Sequence, residues 1–350
     1  MTALTRNCIY RMIMKTDNRK SYILLLMTLL LSLNVMMTRA QADADTIEIE
    51  TVGNYITIPV KLNGELKRFI LDTGCSAHVV FRNAEDTLLN VTEGGDSIES
   101  STGRTEVAER TMGRLIISKY DSDEPVPLYI TTVDSIMMLR GDGIVGINYV
   151  LGNDKMNMKI DVRNKRVIFT KDKHLFDNDE GRKFRTKVVD NRMTIKAKVS
   201  PGVKVRNIVL DSGCDHLFDI DSADLTKIMN GKHHDKFMHQ VQGTKASGME
   251  GMYGTGNSNV TALRLDKLTV TGLSFHDIKA ETGQESLLGF PFLQTASIVY
   301  YNKGKRIKVE PYSTVRNYRI VWKEEKVRHG QYTITYNNEN ATESWLHDIR

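Results

Sequence analysis

The feature that most constrains this chain is a motif written twice. Residues 68–81 read RFILDTGCSAHVVF and residues 207–220 read NIVLDSGCDHLFDI. Each apolar run ends on an aspartate, passes through Thr or Ser, Gly and Cys, and turns apolar again. A strand that delivers a carboxylate into its own core must supply hydrogen bonds to it, because an unpaired buried charge is too costly to keep. Thr-Gly or Ser-Gly can do so: the hydroxyl and backbone N–H groups donate, and glycine permits a tight turn and close approach of another backbone. One such segment reads as an ordinary strand and turn. Two in one chain point to a duplication.

The surroundings repeat in the same order, which is how a duplication is tested. Upstream, YITIPVKLNG at 55–64 resembles RMTIKAKVSPG at 192–202, each alternating like a half-buried strand. Asn83 and Ser222 stand at equal distances past the two aspartates and read as helix caps, opening NAEDTLLN and SADLTKIMNG. Further on, DGIVGINYV and ESLLGFPFL each set a glycine, Gly146 and Gly289, after two apolar residues. The halves close on similar strands, NKRVIF at 164–169 and GKRIKV at 304–309.

These ordered motifs resemble the pepsin-like and retropepsin-like aspartic proteases over about residues 47–312. The resemblance implies an all-β, bilobal fold: two β-barrel lobes with short helices, related by a pseudo-twofold axis, with a substrate cleft between them. It implies that Asp72 and Asp211 are the catalytic pair, that the Thr73 and Ser212 hydroxyls cross-brace the two loops, and that Gly74 and Gly213 support them. Gly146 and Gly289 would mark strands packed beside those loops. Two acids a few ångströms apart share one proton, giving one acid and one base with which to activate water and protonate a leaving nitrogen. No cofactor and no metal is called for. Flap hairpins are expected at 97–113 and 242–258, with Thr102, Gly103, Gly243 and Tyr253 over the substrate, although surface loops would have the same composition. The first has no tyrosine, where pepsin-like enzymes carry one.

Cys75 and Cys214 each occupy the third position after an aspartate. A bridge between them would distort the catalytic loops. Cys75, His78, Cys214 and His216 include metal-ligand types, but Cys-x-x-His beside Cys-x-His matches zinc spacings poorly and the histidines are offset by one position. The preferred reading is two small buried apolar side chains. Relatives in the family carry hydroxyls here that bond the carboxylates; thiols donate weakly. The resemblance therefore implies raised pKa values for the pair and activity from mildly acidic to near-neutral pH.

The 350 residues, 40% apolar, suffice for two lobes with cores. Basic residues precede YILLLMTLLLSLNVMM, and TRAQA follows with small residues, so residues 1–42 read as a signal peptide cleaved at Ala40 or Ala42 rather than as a short membrane anchor. No cysteine follows the apolar run, which argues against a lipoprotein. Six basic residues and one acid lie within 1–42, leaving 42 of each sign beyond it. The formal charge of +5 thus belongs to the targeting segment, and nothing favours nucleic-acid binding.

The expected organisation is a signal peptide at 1–42, an N-terminal lobe at 43–180, a C-terminal lobe at 181–312 and an extension at 313–350. The few residues from Asp43 to Thr46 leave no room for a long inhibitory prosegment. In the extension YRIVW and QYTITY read as strands and NENATESWLHDIR as a polar tail. The resulting expectation is an exported aspartic endopeptidase, periplasmic or extracellular in a bacterium. It would be monomeric, free of the membrane once processed, and would act on extended peptide or protein substrates. The alternative is an inactive pepsin-fold peptide-binding protein, since a fold does not fix an activity.

Overall fold

The computed structural model describes residues 22, 23, 25–29, 44–52, 54–82, 93–99, 105–199, 202–230, 250–251, 254–255, 262–323, 331–336 and 344–347. It divides into a unit of residues 1–44 and a unit of residues 45–350. In the first, residues 22, 23 and 25–29 are helical. No helix among the described residues is long and apolar enough to cross a membrane. Among the described residues the second unit is mostly β-sheet with a few short helices.

Two large sheets repeat one wiring. In the first, Tyr55–Leu62 pairs antiparallel with Glu65–Asp72 through a turn at Asn63 and Gly64, whose φ values of 50° and 92° suit a two-residue hairpin. Glu65–Asp72 lies parallel to Gly143–Gly146, which lies antiparallel to Val79–Phe81, which in turn lies parallel to Val126–Thr131. In the second sheet Arg192–Val199, Val203–Leu210, Leu287–Leu288, Phe218–Asp221 and Leu273–Gly283 follow one another with the same alternation of directions. Burial explains the unbroken apolar runs before each aspartate. Phe69, Ile70 and Leu71, like Ile208, Val209 and Leu210, lie in strands flanked on both sides, and all six are buried.

A third sheet of six strands draws equally on both halves, in the order Ala44–Glu48, Arg166–Thr170, Asn157–Asp161, Ala296–Tyr301, Arg306–Pro311 and Arg182–Arg185. Its central pair, Asn157–Asp161 with Ala296–Tyr301, joins the closing strand pairs of the two halves. One hydrophobic cluster runs from Phe69 and Leu71 through Met158 and Ile298 to Ile208 and Leu210.

Two expectations need correction. The helix Ser222–Met229 is capped by Asp221 rather than Ser222: Asp221 is extended (φ −69°, ψ 156°), and its carboxylate accepts the Asp224 N–H at 2.6 Å. A carboxylate is the better partner for the positive end of a helix. The counterpart expected to open at Asn83 lies outside the described residues. In the extension the strands at Asn317–Lys323 and Gln331–Tyr336 form as expected, but the tail read as polar contributes a third, Ser344–His347, paired with Gln331–Tyr336. Its register places Leu346 opposite Thr333 and Trp345 opposite Ile334.

Candidate active site

Both aspartates lie where a strand meets a turn, Asp72 ending Glu65–Asp72 and Asp211 following Val203–Leu210. Thr73 and Ser212 tie the turns together reciprocally. The Thr73 hydroxyl donates to Leu210 O at 2.7 Å and accepts the Ser212 N–H at 3.0 Å. The Ser212 hydroxyl donates to Leu71 O at 2.7 Å and accepts the Thr73 N–H at 3.0 Å. Both side chains are buried, so these four bonds face no competition from water. The buried Tyr300 hydroxyl also bonds Thr73.

The two carboxyl groups hydrogen-bond each other. Close approach requires the glycines: a Cβ on Gly213 would lie 2.6 Å from Asp72 Oδ2, and one on Gly74 would overlap the Asp211 carboxyl group. Gly146 stands opposite Asp72 in the parallel ladder. Ile147 N–H and Phe290 N–H donate at 2.8 Å to Cys75 O and Cys214 O respectively, so the residue after each glycine, at the start of a short helix, pins the turn beside it in the same way.

The halves differ in how they support negative charge. Asp72 Oδ1 accepts two backbone N–H groups, from Gly74 at 2.8 Å and Cys75 at 3.0 Å. Asp211 Oδ1 accepts one, from Gly213 at 2.8 Å, while the Cys214 N–H goes to the Asp211 carbonyl. Desolvation raises the pKa of Asp72, with the Asp211 bond and the two N–H groups pulling it back. Asp211 is pushed well above the ordinary carboxylate range, by desolvation first and then by the charge of Asp72. The backbone donors thus favour negative charge on Asp72 more than on Asp211.

Cys75 and Cys214 are free thiols; Cys214 is buried and Cys75 half-buried. Cys75 lines a cavity of about 660 Å³ with Gly74, Ser97, Ile98, Tyr129 and Arg192. Neither thiol is bonded to the carboxylate of Asp72 or Asp211: Cys75 Sγ donates to Ala77 O at 3.3 Å, and Cys214 Sγ lies 3.6 Å from His216 O and from Asp219 Oδ2. Burial pushes the Cys75 thiol up to about 12, and Cys214 is raised well above its usual value, so both are protonated. His78 does not join the others. It is buried, lowered to about 4 by that burial, packed edge-on to Tyr149, and its Nδ1 has no partner among the described residues.

The first expected hairpin is present as Glu93–Glu99 paired with Thr105–Gly113, and its Ser97, Ile98 and Arg110 line the cavity beside Gly74. Thr102 and Gly103 at its tip lie outside the described residues, as do Gly243 and Tyr253. Of the second hairpin, Glu250–Gly251 pairs with Gly254–Thr255. Arg192 escaped notice in the sequence: its Nη1 bonds Glu285 at 2.6 Å and Gly74 O at 3.4 Å, and its charge favours ionisation of Asp72. It opens a strand of the second half yet serves the turn of the first, and no local pattern carries that information. Scanned against models of known families the chain matches none, and no protein of curated function matches its sequence.

Proposed function

We propose that this chain is an exported aspartic endopeptidase of pepsin-like architecture, with lobes at about 43–180 and 181–312 behind a removable signal peptide. One observation carries the reading: two mutually hydrogen-bonded carboxyl groups, Asp72 and Asp211, held by the reciprocal Thr73–Ser212 brace. A structural ion network pairs acids with bases. Here an acid is paired with an acid, and its pKa is raised, as proton transfer near neutrality requires.

In this mechanism Asp72, the better-supported anion, takes a proton from a water held between the carboxyl groups as that water attacks the peptide carbonyl. Asp211 donates its proton to the developing oxyanion. The protonated Asp72 then delivers its proton to the leaving nitrogen as the C–N bond breaks, and a hydroxyl of the collapsing diol returns a proton to Asp211. No covalent intermediate forms, and rigid positioning of both carboxyls by backbone N–H groups supplies much of the rate. In this reading an extended peptide lies in the cavity lined by Gly74 and by Ser97, Ile98 and Arg110 of the hairpin Glu93–Glu99 with Thr105–Gly113, and its backbone pairs with the hairpin edge.

The test is hydrolysis of a diverse peptide pool by purified protein, read by mass spectrometry, with and without a statine-type inhibitor. Inhibitor-sensitive endoproteolytic cuts support the reading. A well-folded protein that binds peptides without cutting them would favour the inactive binding protein instead.

A further inference from the structure

Behind the Asp211 turn, Cys214, His216 and Asp219 bring one ligand-type atom each within 4.8 Å of one another. Asp219 lies in the strand Phe218–Asp221 with none of its surface exposed. Among the described residues its carboxylate meets two side-chain partners: Cys214 Sγ at 3.6 Å from Oδ2 and His216 Nδ1 at 3.2 Å from Oδ1. A thiol is a weak donor, so among these side chains the buried carboxylate depends on the single His216 imidazole for its support.

Comparison of the halves sharpens the point. Ile144, two residues before Gly146, pairs with Val79; Leu287, two residues before Gly289, pairs with Asp219. Asp219 thus takes the place that a buried valine holds in the first half. A carboxylate buried where the fold accepts valine needs a reason, and thiol and imidazole on either side supply one.

We propose that Cys214, His216 and Asp219 form a binding site for a borderline-soft divalent cation of the zinc class, which clamps the loop following Asp211. The inference does not depend on the protease reading, and it departs from the expectation of no metal. Tetrahedral zinc bound by sulfur, imidazole nitrogen and carboxylate oxygen requires S···O near ~3.5 Å and N···O near ~3.3 Å. The observed separations are 3.6 Å from Sγ to Oδ2 and 3.2 Å from Nδ1 to Oδ1, so each carboxylate oxygen faces one of the other two donors, and a turn of the carboxyl group presents one oxygen to both. The third edge closes by rotation of the His216 ring, which is 19% exposed. Its Nε2 lies 3.6 Å from Asp215 Oδ1, the outer carboxylate that commonly orients a ligating imidazole.

A catalytic triad is a poor description of this group, because the carboxylate lies between the sulfur and the imidazole, so that the thiol meets the carboxylate rather than an imidazole base. Calcium and magnesium prefer all-oxygen shells, whereas a thiolate selects zinc-like ions. On binding, the Cys214 S–H bond breaks, the proton leaves to solvent and the sulfur electron pair passes to the metal. Thiolate and carboxylate then neutralise the ion, and solvent completes the fourth position. No redox change is involved.

The test uses the whole purified protein after dialysis against chelator, titrated with Zn²⁺ and with Co²⁺. The expected result is uptake of one equivalent of zinc, with a cobalt form showing thiolate charge-transfer absorption and the intense visible bands of four-coordinate cobalt. Cys75→Ser should bind unchanged. Cys214→Ser and His216→Ala should each weaken binding by more than roughly 100-fold, and Asp215→Asn by about 10-fold. The partly exposed His216 serves if the buried Cys214 variant does not fold. No stoichiometric uptake, a cobalt spectrum without thiolate absorption, or zinc binding retained in folded Cys214→Ser or His216→Ala would overturn the proposal.

Discussion

At the scale of residues the site rests on four buried hydrogen bonds and a close pair of carboxyl groups. Thr73→Val removes the donor to Leu210 O and the acceptor of Ser212 N–H together. Two buried groups lose their partners, and the expected cost is about 2–4 kcal/mol in urea unfolding. Ser212→Ala should cost a similar amount, and the double variant less than the sum, because the two side chains serve one brace. For Asp211 the folded pKa lies well above its ordinary value of 3.8. Its contribution to stability is therefore fully present below the unfolded pKa and is lost as pH rises through the folded one. Asp211→Asn removes that loss. Its melting temperature should match wild type near pH 4 and exceed it by roughly 2–5 °C at pH 7; a difference that stays flat with pH would contradict the shift. The pH–rate profile of the wild type should accordingly extend from mildly acidic to near-neutral pH, and a peak confined to strong acid would contradict the raised pair. Asp72, Thr73, Asp211 and Ser212 could be read from the sequence because their chemistry is packed into consecutive letters. Arg192 could not, because Glu285 and the Gly74 carbonyl it serves lie far off in the chain, and Asp219, though close to Cys214 and His216 in sequence, sits inside what reads as an apolar run.

At the scale of elements the recurring unit is an aspartate strand laid parallel to a short strand that ends at a glycine. Gly146 and Gly289 are required by contact: a Cβ on either would overlap carbonyl oxygens of the neighbouring turn, Ala77 O and Cys75 O in one half and His216 O and Cys214 O in the other. Gly146→Ala and Gly289→Ala should each destabilise by at least ~3 kcal/mol, since the obstacle is backbone that cannot swing aside. An exposed substitution such as Leu139→Ala, on a residue 75% exposed, should stay within about 0.5 kcal/mol and serves as the control. Chemical denaturation measures both. The apolar-apolar-Gly signal was legible because burial on both faces demands an uninterrupted apolar run. The strand Ser344–His347 was not, because a short edge strand amid Asn, Glu and Thr has no alternation to show; only pairing with Gln331–Tyr336 defines it.

At the scale of the whole molecule the six-stranded sheet holds the halves in the register the dyad needs. Lys159, nearly buried on its central strand, bonds Asp179 at 2.7 Å and Glu310 at 2.8 Å, joining residues drawn from both halves. Lys159→Met leaves those two partly exposed carboxylates without their cation. It should cost about 2–3 kcal/mol in denaturation experiments at neutral pH, with much of the loss recovered where the acids are protonated. The duplication was legible from paired motifs, but the shared sheet was not, because alternating strands in NKRVIF and GKRIKV do not say which partner lies across the boundary. The central claim remains that Asp72 and Asp211 work as one unit. It is tested most directly by peptide hydrolysis with wild type, Asp72→Asn and Asp211→Asn side by side, each with a melting curve. The account predicts cleavage by the wild type and loss of at least ~10³-fold in either folded variant, because members of one catalytic unit are not additive. Near-normal turnover by either folded variant would contradict it.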